Sequence, residues 1–185
     1  MLIRQATTED AKPIALYLLM AMEDIVYAFI GKPDATAAND FLLHFVEQEN
    51  NQYSYQNCWV VEHENSIIAA VNLYDGAKLH DLRATIISYV RNHFNPHFNP
   101  EDETQSGEYY IDCLAVHPHY QGQGVATTLL QFLIQEYTIH QNHTLGLLVE
   151  ENNPSAKRLY LKLGFKPVGM KTLVGKTLEH LQMKA

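Results

Sequence analysis

Residues 110–127 read YIDCLAVHPHYQGQGVAT. The stretch opens on an apolar, β-branched run, Ile111 to Val116, whose composition predicts a strand. A polar link follows, and then Gln121-Gly122-Gln123-Gly124-Val125-Ala126 leads into a segment with Leu129, Leu130, Leu133 and Ile134 at helical spacing. Strand, glycine loop and helix together make an anion pocket. Glycines let the main chain approach a phosphate closely, and a helix N-terminus offers unpaired N–H groups and the positive end of its dipole. The stretch therefore predicts a phosphate-bearing ligand held by an interleaved α/β chain.

The flanking sequence continues the alternation. Upstream, Leu2 to Ala6 reads as a short strand, and Thr7-Thr8-Glu9-Asp10 as the start of a helix. Ile14, Leu18, Met22, Ile25 and Phe29 repeat at helical spacing within about residues 9–29. Gly31-Lys32-Pro33-Asp34 ends that helix, and a second, over about 35–49, buries Phe41, Leu42, Phe45 and Val46. Two strands, 58–62 and 66–74, form a hairpin about Glu64-Asn65, and Leu79, Leu82, Ile86 and Val90 mark a further helix. Downstream come a helix over about 124–140, a strand over 144–149, a helix from Ser155 to Leu163 closed by Gly164, and a strand over 165–170. A last strand spans 177–183, where Leu178, His180 and Gln182 alternate with Glu179, Leu181 and Met183 and the inner face stays open. The class is α/β, or α+β with one mixed sheet, in a single domain over 1–185.

Composition narrows the function. The chain has 185 residues, 46% hydrophobic and 18% charged, which suits a folded domain with a real core. A net charge of -8 argues against nucleic-acid binding and fits a cationic partner. No apolar run reaches the ~18 residues of a membrane span, and the N-terminus lacks a signal-peptide core. Cys58 and Cys113 sit in apolar runs and read as buried thiols, so a cytoplasmic protein is expected. His93-Phe94-Asn95-Pro96 recurs at once as His97-Phe98-Asn99-Pro100. Its prolines mark a loop, and with no cysteine or carboxylate at ligand spacing no metal is expected there.

Two phosphate-binding templates fail. A dinucleotide fingerprint needs Gly or Ala where Thr127 stands, and an acidic residue that Ile139 to Thr144 lack. A nucleotide-triphosphate loop ending in Gly175-Lys176-Thr177 would need glycine at Met170. A third template fits. Gln121, Gly124 and Ala126, as Gln-x-x-Gly-x-Ala after Leu114-Ala115-Val116-His117-Pro118, resemble the pyrophosphate-binding signature of the GNAT superfamily of N-acetyltransferases. A second match runs from Asn153 through Ala156, Leu159-Tyr160 and Gly164-Phe165. Ile3-Arg4-x-Ala6-Thr7-x-x-Asp10 matches the family's opening more loosely, and about 77–107 looks like an insertion.

The resemblance implies a mostly antiparallel sheet flanked by helices, and acetyl-CoA as cosubstrate. It gives the main chain of Leu114, Ala115 and Val116 to the pantetheine arm, with an N–H near Val116 facing the thioester carbonyl. Backbone N–H groups of Gln121, Gly122, Gln123, Gly124, Val125, Ala126 and Thr127 would cradle the pyrophosphate. Asn153 would bind the cofactor arm or cap its helix, and Tyr160 would protonate the departing thiolate. A glutamate used as base by some relatives would fall at Leu148, so Glu108 and Asp112 remain, acting directly, through water, or as structural acids. Of the two, Glu108 is the expected base. The implied reaction is direct acetyl transfer in a ternary complex to an amine on a small molecule, peptide or protein. The alternative is a non-catalytic acyl-CoA-binding module. A homodimer is compatible with either.

Overall fold

The computed structural model describes residues 1–184. Its strands are β1 (Leu2–Gln5), β2 (Cys58–His63), β3 (Ser66–Asp75), β4 (Tyr109–Val116), β5 (Leu145–Glu150), β6 (Lys166–Leu173) and β7 (Lys176–Met183). Its helices are α1 (Ala11–Ile30), α2 (Ala35–Val46), α3 (Leu79–His93), α4 (Val125–Leu133) and α5 (Pro154–Leu163). The strands follow the order β1-β2-β3-β4-β5-β7-β6. β4 and β5 run parallel, whereas β1–β2, β2–β3, β5–β7 and β6–β7 are antiparallel. This is the mixed, mostly antiparallel open sheet with flanking helices that the sequence predicts.

The chain forms two compact units. The first comprises residues 1–73, 80–99 and 113–126. Its N-terminus is fixed by charge. Arg4 donates to Asp10 at 2.7 and 2.9 Å and to Glu62 at 2.8 Å, tying β1 to β2 and to the entry of α1. The Arg4 guanidinium holds the Asp10 carboxyl below the usual range, and the Thr7 N–H donates to the same carboxylate. α1 packs on α2 and buries Ile14, Ala15, Leu18 and Val26. The stretch from Thr8 to Ile30 is long and apolar enough to cross a bilayer, with mean hydropathy 1.7, yet these buried side chains give it the place of a core helix. Met22 leaves helical geometry at φ -140°, so the run read as one helix is two segments about a kink. Gly31, at φ 74°, closes it in the left-handed conformation.

The second unit comprises residues 74–79, 100–112 and 127 onward. β5 is its centre, with Leu145, Leu147 and Val149 buried, paired to β4 at Tyr109–Ile111 and to β7 along its length. The helix predicted over 124–140 changes hydrogen-bond pattern part-way: α4 gives way to a π-helical stretch, Ile134–His140. Cys58 and Cys113 are both buried and form no disulfide.

Candidate active site

In the first unit the chain leaves β4 at Val116 and is anchored by the His117 N–H, which donates to the Ile68 carbonyl of β3 at 2.8 Å. Pro118 to Tyr120 make one 3-10 turn. The Gln121 amide then donates back to the Val116 carbonyl at 3.0 Å, and the Gln123 amide to the His119 carbonyl at 2.7 Å. Two polar side chains are thus spent on holding the loop's own backbone. Gly122 and Gly124 stand at φ 73° and 85°, a region that L side chains rarely adopt. A Cβ at either would meet nothing within 4 Å. Backbone conformation rather than crowding requires glycine there, and the space beside the loop is open. Val125 and Ala126 begin α4, so the first-turn N–H groups lie beyond its internal ladder. An open glycine turn feeding a helix N-terminus has the charge and room a diphosphate needs.

The same unit holds a cavity of about 560 Å³ beside α1, lined by Pro13, Leu16, Tyr17, Met20 and Glu23 with His117. Its lining is mostly apolar. Glu23, its acidic member, accepts from the Tyr27 hydroxyl at 2.6 Å, and that carboxylate pushes the phenol up to about 12.

The second unit holds Asn153, Tyr160, Thr127 and Glu108. Asn153 caps α5: its Oδ1 accepts from the Ala156 N–H and the Ser155 hydroxyl, both at 3.2 Å, with Pro154 as first helical residue. Gly164, at φ 104°, ends the helix. Tyr160 is half-buried with its ring 5.9 Å from Phe165. α5 lies on one face of β7, where Lys157 meets Glu179 at 2.7 Å and Met183 reaches Gly164.

Glu108 immediately precedes β4, and its carbonyl accepts from the Gly76 N–H at 2.9 Å. Its side chain is fully buried. Oε2 lies 2.8 Å from His180 Nε2 and accepts from the Gln182 amide at 2.7 Å, while Oε1 accepts from the Thr104 hydroxyl at 2.8 Å. A side chain at Gly146 would collide with this carboxylate, so β5 carries glycine to admit it. Burial, the largest single influence, pushes the Glu108 carboxyl up, but the hydrogen bonds from His180, Gln182 and Thr104 together hold it below the ordinary glutamate range. His180 and Gln182 alternate with Glu179 and Met183 along β7, so Glu108 and α5 lie on opposite faces of that strand.

A profile of the acetyltransferase (GNAT) family matches residues 32–165. The chain belongs to that family. A solved N-acetyltransferase from Staphylococcus aureus Mu50 superposes with a TM-score of 0.85 at 25% identity, covering 99% of this chain and 100% of that one. A second solved acetyltransferase superposes at 0.78 with 28% identity, over 100% and 99%. A probable spermine N(1)-acetyltransferase of Bacillus subtilis subsp. natto is 31% identical over 67 residues, 36% of this chain. That match spans 44% of the curated relative, less than half its length.

For a GNAT acetyltransferase the arrangement separates the expected residues. Leu114, Ala115, Val116 and residues 121–126 belong to the first unit, and Glu108, Thr127, Asn153 and Tyr160 to the second. Among the described residues no group of three His, Cys, Asp or Glu is placed to hold a metal ion. Sequence reasoning missed His180, Gln182, Thr104 and Gly146 around Glu108. The signal was the alternation in 177–183, which places His180 and Gln182 on one face without saying which carboxylate they meet.

Proposed function

We propose that this GNAT acetyltransferase moves an acetyl group from acetyl-CoA to the amine of a small cationic molecule, by direct attack in a ternary complex. The glycine loop carries the reading: two left-handed glycines with open space beside them, at the start of α4, suit a diphosphate. Backbone N–H groups of residues 121–127 hold that diphosphate, and the main chain of Leu114–Val116 holds the pantetheine arm. The Asn153 side chain binds the same arm while capping α5. The amine nitrogen attacks the thioester carbonyl carbon, the C–S bond breaks, and the Tyr160 hydroxyl gives its proton to the departing thiolate. The acceptor's ammonium must also lose a proton, and Glu108 contributes to that step as a buried carboxylate whose oxygens are already engaged by His180, Gln182 and Thr104.

A cationic acceptor is supported by charge. Residues 9–50, which span α1 and α2, hold eight acidic side chains against two basic ones. The apolar cavity beside α1 has Glu23 in its lining, a match for an aliphatic chain ending in an ammonium. The partial match to a probable spermine acetyltransferase points the same way. The reduced, buried thiols agree with action in the cytoplasm.

Thiol release from acetyl-CoA, measured against a panel of polyamines, monoamines and lysine peptides, tests the reading. Turnover is expected to be highest with an aliphatic polyamine, and Tyr160→Phe is expected to lower kcat about 100-fold. If no acceptor gives turnover while acetyl-CoA still raises Tm, the protein is an acyl-CoA-binding module.

A further inference from the structure

Glu108 is badly placed to keep a proton. Its two oxygens already accept from His180, Gln182 and Thr104. Protonating it would turn an acceptor into a donor, and would require the Thr104 hydroxyl or the His180 ring to reverse its role, since the Gln182 amide nitrogen can only donate. The carboxylate also favours Nε2–H on His180, which leaves Nδ1 as the lone-pair nitrogen of the neutral ring. Nδ1 makes no hydrogen bond among the described residues.

Strand register then places this imidazole. His180 is the cross-strand partner of Leu148, and Gln182 of Gly146. Antiparallel partners share a face, so His180 stands beside half-buried Leu148, on the face where Glu108 fills the space above Gly146. Leu148 is the position at which the family resemblance would put a glutamate base. α5, with Tyr160, lies on the other face. Acid and base on opposite sides of the sheet suit a carbonyl attacked from one side whose leaving group departs toward the other.

We propose that His180, held by Glu108, accepts the acceptor ammonium's proton through a water at Nδ1. This rests on the acetyl-transfer reading above. The ammonium gives one proton to the water as that water gives one to Nδ1, forming imidazolium beside an ionised carboxylate. The freed amine makes the C–N bond, the nitrogen's second proton leaves to solvent through the same water, the C–S bond breaks, and Tyr160 protonates the thiolate. The imidazolium returns its proton to solvent, Tyr160 regains one, and each turnover releases one net proton. The Glu108–His180 pair then has the orienting logic of a carboxylate–imidazole dyad. By strand register the same face carries Tyr110 of β4 with Asp112 two residues on, and Lys171 of β6, together with the Glu150–Lys176 pair, 2.9 Å apart, and Glu103, buried and accepting from Tyr74.

The test is the pH dependence of kcat, from pH 5 to 9, with the best amine at saturation. Wild type is expected to lose activity in acid along a one-proton limb. His180→Gln should flatten that limb and lower kcat about 100-fold, with acetyl-CoA affinity by calorimetry within about twofold. Glu108→Gln should lower kcat about tenfold yet keep the limb, because the imidazole remains; it serves as the second variant if His180→Gln fails to fold. A folded His180→Gln that retains the wild-type limb, or a Glu108→Gln at wild-type kcat, would overturn this assignment and leave acetyl transfer intact. Absence of turnover with every amine in wild type would overturn both.

Discussion

The loop at 121–126 and the cluster around Glu108 are both polar features beside β4, and they are held in opposite ways. The loop is built by near neighbours: its side-chain bonds join residues four and five apart, and its glycines answer a local backbone need. The cluster is built by distance: His180 and Gln182 lie 72 and 74 residues from the carboxylate they meet. A local device costs little when damaged, because its neighbours can relax. A long-range buried one leaves several groups unsatisfied together. The difference teaches where stability and binding reside, and substitutions in the two regions can break it.

The largest effect is expected at the cluster. Glu108→Ala removes the acceptor for three donors in a buried setting and should cost about 3 kcal/mol in urea unfolding. The pH dependence carries a sign. Because the Glu108 carboxyl is held below its ordinary value, its contribution is fully present above that value and is lost as pH falls through the folded one. The stability gap between wild type and Glu108→Ala should therefore narrow in acid. A gap that stays constant down to pH 3 would show that the carboxylate's charge is irrelevant.

Next comes Gly146→Ala, whose Cβ would collide with the Glu108 carboxylate and should destabilise by about 2 kcal/mol. The comparison sharpens in the double variant. With Glu108 already Ala the space is vacant, so the second change should be nearly neutral, and the two costs should fail to add. Additive costs would mean that Gly146 answers to something other than the carboxylate.

The same contrast explains what the chain discloses before folding. The hairpin about Glu64-Asn65 was legible from the two strand runs that flank it and from Asn65, which tolerates the positive φ of 58° that a tight turn needs; Glu64, at 50°, gave no such signal. α5 was legible at both ends, through the Asn153 cap and Gly164. The glycine loop was legible because its residue types and its conformation are one fact. The kink at Met22 and the π-helical stretch from Ile134 were hidden, since neither carries proline or glycine and both depend on packing. His180 was half legible: period-two alternation grouped it with Gln182, while its partner depended on how β7 pairs with β5.

The smallest effect on stability is expected in the loop. At Gly124→Ala the added methyl meets nothing within 4 Å, so no packing cost arises and only the left-handed backbone is penalised, by about 1 kcal/mol. The backbone can relieve that strain by turning toward negative φ, which rotates adjoining N–H groups away from the bound diphosphate. Binding should thus suffer where folding does not. The acetyl-CoA KM is expected to rise about tenfold, equivalent to ~1.4 kcal/mol, with kcat within about twofold. An unchanged KM would detach the loop from the cofactor. A loss of folding as large as that of Glu108→Ala would erase the distinction between the two regions, because it would show that the loop too is held by contacts its own neighbours do not supply.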